Sequence, residues 1–179
     1  MVYIAFLRGI NVGGHVVKMD RLRELFVELG FSNVRTYIQS GNVFFETSQT
    51  DRAQLAHTIE QHLSQALGYE VPVFLRTIPE LEDILALNPF QSMDITPDMR
   101  PCILFTSEKV SENLALPLLS PKRDIAIVHT TEHEAFVVWY IIDGRPPAGS
   151  GFLEKTLGRR TTTRFFHTAA KILQAAKKG

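Results

Sequence analysis

The segment Leu7-Arg8-Gly9-Ile10-Asn11-Val12-Gly13-Gly14 constrains this chain most, because the apolar run Val2 to Leu7 meets a charge there and then three glycines. A continuous apolar run that stops so sharply predicts a buried strand ending in a polar loop. Glycines let the loop backbone take positive φ or come close to a ligand. The helical pattern that follows would turn unpaired N–H groups back toward the loop. The segment therefore reads either as a tight connection or as an anion site.

The next residues place that loop in a topology. Asp20 to Leu29 puts Leu22, Leu25, Phe26 and Leu29 on one helical face, with Gly30 as a left-handed stop. Val34 to Ile38 and Asn42 to Glu46 are rich in β-branched and aromatic residues and flank Gln39-Ser40-Gly41, which predicts a hairpin. Ser48 followed by Asp51 resembles a capping box opening a helix that runs to about Leu67, with Leu55, Ile59 and Leu63 inward and Gly68 closing it. Val71, Val73 and Leu75 alternate with Pro72, Phe74 and Arg76, and Pro72 predicts an edge strand. The order is βαββαβ, which predicts a ferredoxin-like subdomain over residues 1–87. Right-handed crossovers then put its first and third strands in the middle of an antiparallel sheet. In that arrangement Arg8, Gly9, Asn11, Gly13 and Gly14 share one end of the sheet with Gln39, Ser40, Gly41 and Asn42.

After a short helix over Pro79 to Leu87, the proline-bearing stretch Asn88 to Arg100 predicts a boundary, and residues 88–179 a second α+β subdomain. Pro101 to Thr106 reads as a strand, Ser111 as the cap of a short helix ending before Pro117, and Asp124 to His129 with Glu134 to Ile142 as a hairpin. A glycine and proline loop, Asp143 to Gly151, leads to a short helix over Gly151 to Leu157. Thr161-Thr162-Thr163 offers caps for a final helix carrying Phe165, Phe166, Ala169, Ile172, Leu173 and Ala176. The second half thus reads as a βαββα-like order, and the whole chain as α+β.

Composition narrows the function classes. With 179 residues, 45% of them apolar, the chain can bury a real core. Zero formal net charge argues against coating nucleic acid or membrane with the whole surface. The charge is uneven, however: residues 145–179 hold eight Lys or Arg against Glu154, a net of +7, which leaves −7 for the rest. A basic tail of this kind offers nucleic-acid contact through residues 155–178, but an amphipathic helix with a solvated basic face is the better explanation. The single cysteine, Cys102, lies in an apolar run and reads as a buried thiol, which fits a reducing, cytoplasmic compartment. No basic stretch precedes Val2 and the apolar stretch Ala135 to Ile142 is far too short to span a bilayer, so neither secretion nor a membrane is expected.

Phe6 to Gly14, Lys18-Met19 and Tyr37-Ile38-Gln39-Ser40-Gly41-Asn42-Val43-Phe44 together resemble the bacterial family catalogued as domain of unknown function 1697. The resemblance covers nearly the whole chain and implies an α+β fold of two subdomains, the first ferredoxin-like. It implies no reaction. Members of that family tend to carry a C-terminal Thr-Arg-Asn-Trp-Asn-Thr pattern; here Thr163-Arg164-Phe165-Phe166-His167-Thr168 keeps the arginine and both threonines and departs at the three central positions.

The chemistry-bearing residues exclude some readings. The glycine spacing from Gly9 to Gly14 mimics a P-loop, but His15 and Val16 stand where Lys and Ser or Thr must reach phosphate and magnesium, so nucleotide hydrolysis is disfavoured. Tyr37, Phe44 and Phe45 raise base stacking, yet the basic RNA-binding signature is missing and core packing explains the phenylalanines better. The histidines have no metal-ligand spacing, and no metal or cofactor is expected. Cys102 and Ser40 qualify as nucleophiles only with a base nearby in space. Two function classes remain: a binding module for an anionic small ligand or a nucleic-acid phosphate, held by Arg8, Gly9, Asn11, Gly13, Gly14, Gln39, Ser40, Gly41, Asn42 and Arg164, or a metal-independent enzyme acting on a small anionic substrate in the same pocket.

Overall fold

The computed structural model describes residues 1–148 and 151–179. Of the Asp143 to Gly151 loop, Gly149 and Ser150 lie outside the described residues. The chain divides into two compact units, Met1–Asp83 with Lys171–Gly179, and Ile84–Ala170. Each carries one antiparallel sheet.

The first unit contains β1 (Val2–Leu7), α1 (Met19–Glu28), β2 (Ser32–Thr36), β3 (Asn42–Glu46), α2 (Arg52–Leu67) and β4 (Val73–Thr77), followed by α3 (Ile78–Leu87). Its strand order is β2-β3-β1-β4, with β1 and β3 central. Tyr3, Ala5 and Leu7 of β1, Val43 and Phe45 of β3, and Val73 and Leu75 of β4 pack against Leu22, Leu25 and Phe26 of α1 and Leu55, Ile59 and Leu63 of α2. The alternate residues Ile4, Phe6, Phe44 and Phe74 are buried too, which is why β1 reads as unbroken apolar sequence rather than as alternation. On that face the Arg35 guanidinium lies 5.0 Å from the Phe44 ring centroid and donates to Ala175 O at 2.9 Å and Ala176 O at 3.0 Å. It thereby satisfies two of the carbonyls orphaned near the chain's C-terminal end.

Two local expectations are corrected in this unit. Asp51, not Ser48, caps α2: its carboxylate accepts from Gln54 N at 3.1 Å. The strand expected over Val34 to Ile38 is Ser32–Thr36 instead, because Ile38 takes φ +52 and the chain is already turning.

The second unit holds a 3-10 turn at Pro89–Ser92, then β5 (Met99–Thr106), β6 (Leu118–Leu119), β7 (Ile125–Thr130), β8 (Glu134–Tyr140), α4 (Gly151–Leu157) and β9 (Thr161–Phe165), and α5 (Phe166–Lys177) begins in it. Its strand order is β6-β7-β8-β5-β9. Cys102, Leu104, Ile125, Ile127, Ala135 and Val137 form the core with Leu153 and Leu157 of α4. The βαββα-like order is corrected here. No helix follows Ser111, whose hydroxyl accepts from Asn113 N at 3.2 Å in a local turn. Thr161-Thr162-Thr163 does not cap a helix but pairs with β5, from Cys102↔Phe165 to Thr106↔Thr161, so the last helix starts only at Phe166. Three consecutive threonines suit an extended strand once a partner is present. No helix among the described residues is long and apolar enough to cross a membrane.

Candidate functional site

The Arg8 to Gly14 loop and the Gln39 to Asn42 turn meet at one end of the first unit's sheet. Leu7 N donates to Gly41 O at 2.8 Å and Arg8 N to Pro72 O at 3.1 Å, so the loop departs between the hairpin turn and the entry to β4. Asn11 is the hub. Its Nδ2 donates to Gln39 O at 2.8 Å, its Oδ1 accepts from Val17 N at 2.7 Å, and its own N–H donates to His15 O at 2.8 Å. Asn42, fully buried, braces the turn from within: Nδ2 donates to Tyr37 O and to Ser40 Oγ, both at 3.1 Å. Gly41 is buried at φ +86, and a Cβ there would stand 3.1 Å from the Cβ atoms of both Leu7 and Ile10. Asn11, Gly41 and Asn42 therefore build the site's frame.

What the frame presents is backbone. Gly9, Asn11, Gly13 and Gly14 have φ of +81, +58, +59 and +85, whereas Arg8, Ile10 and Val12 do not have positive φ. The sign of φ thus alternates from Arg8 to Gly13. Alternating handedness turns successive N–H groups toward one side, the concavity that binds anions in phosphate-loop and iron–sulfur sites. Among the described residues, the N–H groups of Gly9, Val12, Gly13 and Gly14 donate to no protein acceptor. Among the described residues, a Cβ at Gly9, Gly13 or Gly14 would meet nothing within 4 Å, so these glycines serve the backbone's handedness and not close packing. Arg8 is half-buried at the loop's root, and Gln39 and Ser40 are exposed beside it.

Arg164 belongs to the second unit, in β9, only 8% exposed. Its Nη1 donates to Thr162 Oγ1 and Thr163 O, both at 2.9 Å, and burial pulls its pKa down to about 10. Cys102 is fully buried and burial pushes its thiol up to about 12, which removes it as a nucleophile in the folded chain. Among the described residues, no three His, Cys, Asp or Glu side chains gather as a metal site.

Two features escape a reading by spacing. His15 stacks on Tyr69 beside the loop, with ring centroids 3.9 Å apart and planes 14° apart. In the second unit, Asn88, Phe90, Gln91, Pro101, Phe166 and His167 line a half-open cavity of about 240 Å³. These partners lie far apart along the chain, and only the folded structure joins them.

Helices combined with two antiparallel sheets put the chain in the α+β class. The profile of the family described as protein of unknown function (DUF1697) matches residues 1–136, and the chain belongs to that family. It is also similar to the solved structure of a conserved bacterial protein from Streptococcus pneumoniae, at 25% identity and a TM-score of 0.68 over 98% of each chain. None of the curated proteins compared with the chain matches it.

Proposed function

We propose that the first unit is a ferredoxin-like binding module whose Arg8 to Gly14 loop holds the phosphate or carboxylate of a small ligand. The observation that carries this is the alternating loop backbone, in which the Gly9, Val12, Gly13 and Gly14 N–H groups have no protein acceptor among the described residues. Arg8 adds charge at the root of that concavity, and Gln39 and Ser40 border it. Asn11 and Asn42 act through position: their amides hold the loop and turn in register. A hydrogen bond from a backbone N–H to a charged acceptor contributes about 1.5–3 kcal/mol, least where solvent competes. After the cost of association, a few such bonds support a dissociation constant of about 10 µM to 1 mM.

Thermal shift against a panel of phosphate, sulfate and carboxylates tests the reading. At a hundredfold excess over its dissociation constant, a bound anion adds about 2.7 kcal/mol. In a chain of this size that raises Tm by about 5–11 °C. Arg8→Ala should reduce the shift. If no anion exceeds a chloride control at matched ionic strength, or the variant responds equally, the proposal falls.

A further inference from the structure

The anion site is bordered by apolar groups that a bare anion would not use. Val12 and Val16 are 60% and 81% exposed, and Ile38 is 45% exposed. Val12 follows Asn11 and Ile38 precedes Gln39, so these two flank the hydrogen bond from Asn11 Nδ2 to Gln39 O from opposite segments. Ile38 also sits at φ +52, where a β-branched side chain is disfavoured, so this apolar group is displayed at a conformational cost. His15, itself exposed, closes the loop by donating its N–H to Val12 O at 3.1 Å and backs its ring onto Tyr69.

We infer that the ligand is a phosphate monoester with a flat aromatic organic body, of the nucleoside monophosphate kind. This rests on the anion-binding reading above. The phosphate group, with up to two charges and three acceptor oxygens, matches several N–H donors of the loop and Arg8 better than a carboxylate does. A shallow rim gains most contact from a flat body, which Val12, Val16 and Ile38 shield from water while the outer face of His15 offers a ring to stack on.

Calorimetric titration of the full chain with inorganic phosphate, adenosine 5′-monophosphate and adenosine separates the anion site from the organic subsite. The monophosphate should bind at least tenfold more tightly than either other probe. The exposed double variant Val16→Ser/Ile38→Ser should lose that preference while keeping its affinity for inorganic phosphate. Equal affinity for inorganic phosphate and the monophosphate overturns the organic subsite and leaves the anion site standing. A preference that survives in the double variant overturns the assignment of the rim. Adenosine binding as tightly as the monophosphate, or no binding by any probe, removes the anion site and this inference with it.

Discussion

Gly41→Ala tests how closely the loop and the hairpin turn are pressed together. At φ +86 an alanine pays the left-handed penalty of about 1–2 kcal/mol. The new Cβ would also stand 3.1 Å from the Cβ atoms of Leu7 and Ile10 and 3.3 Å from Ile10 Cγ1. Those partners are 1% and 2% exposed, and a Cβ moves only with its backbone, so overpacking adds about 1–3 kcal/mol. The total is about 2–5 kcal/mol, or a fall in Tm of about 4–20 °C. Gly14→Ala is the matched control: φ is +85, but nothing lies within 4 Å of the new atom. It should cost only the backbone penalty of about 1–2 kcal/mol, or about 2–8 °C. Thermal unfolding followed by circular dichroism in one buffer compares the three proteins. A Gly41→Ala midpoint within 2 °C of Gly14→Ala would refute the close approach of the two segments, and with it the frame on which the site is built.

Three further outcomes follow from the same structure. Arg35→Ala removes both donors to Ala175 O and Ala176 O and the contact with Phe44, and should lower stability by about 1–3 kcal/mol in chemical denaturation. Cys102 should resist a thiol reagent at pH 8 in the native protein and react at once in denaturant; native labelling at the denatured rate contradicts its burial. Glu80 is raised by desolvation, but hydrogen bonds from Arg52 and from Thr77 N and the nearby arginine charges outweigh that and hold it below the usual 4.5. A depressed carboxylate gives stability that is present above its unfolded pKa and lost as pH falls through the folded value. The loss therefore lies below about pH 4.5, and it should be under about 1 kcal/mol because the pair is more than one-third exposed. Glu80→Gln should flatten that part of the stability profile; an unchanged profile counts against the Arg52 pairing.

The elements readable in sequence were those decided by local periodicity. Leu22, Leu25 and Phe26 mark α1, Leu55, Ile59 and Leu63 mark α2, and the β-branched and aromatic run into Phe45 marks β3, because each pattern matches its own element's repeat. Thr161 to Thr163 was ambiguous because the same residues cap helices and fill strands. The choice was made by pairing with Cys102 to Thr106, more than fifty positions away. The glycines of the loop announced unusual backbone, but the positive φ of Asn11 and Ile38 did not show, since neither residue type requires it. From sequence alone Asn11 and Asn42 are candidate ligand contacts; the folded chain adds that their amides hold the loop and turn together. Polar side chains near a glycine loop serve frame and ligand alike, and only hydrogen-bond partners separate the two roles.

An amide-resolved nuclear magnetic resonance titration of the ¹⁵N-labelled chain with inorganic phosphate asks whether the Arg8 to Gly14 backbone receives an anion. An anion held there should give saturable downfield shifts at the amides of Gly9, Val12, Gly13 and Gly14, with one common dissociation constant and little change at the braced amides of Leu7 and Asn11. Linear, unsaturating shifts, or saturable ones confined to other parts of the chain, would contradict it.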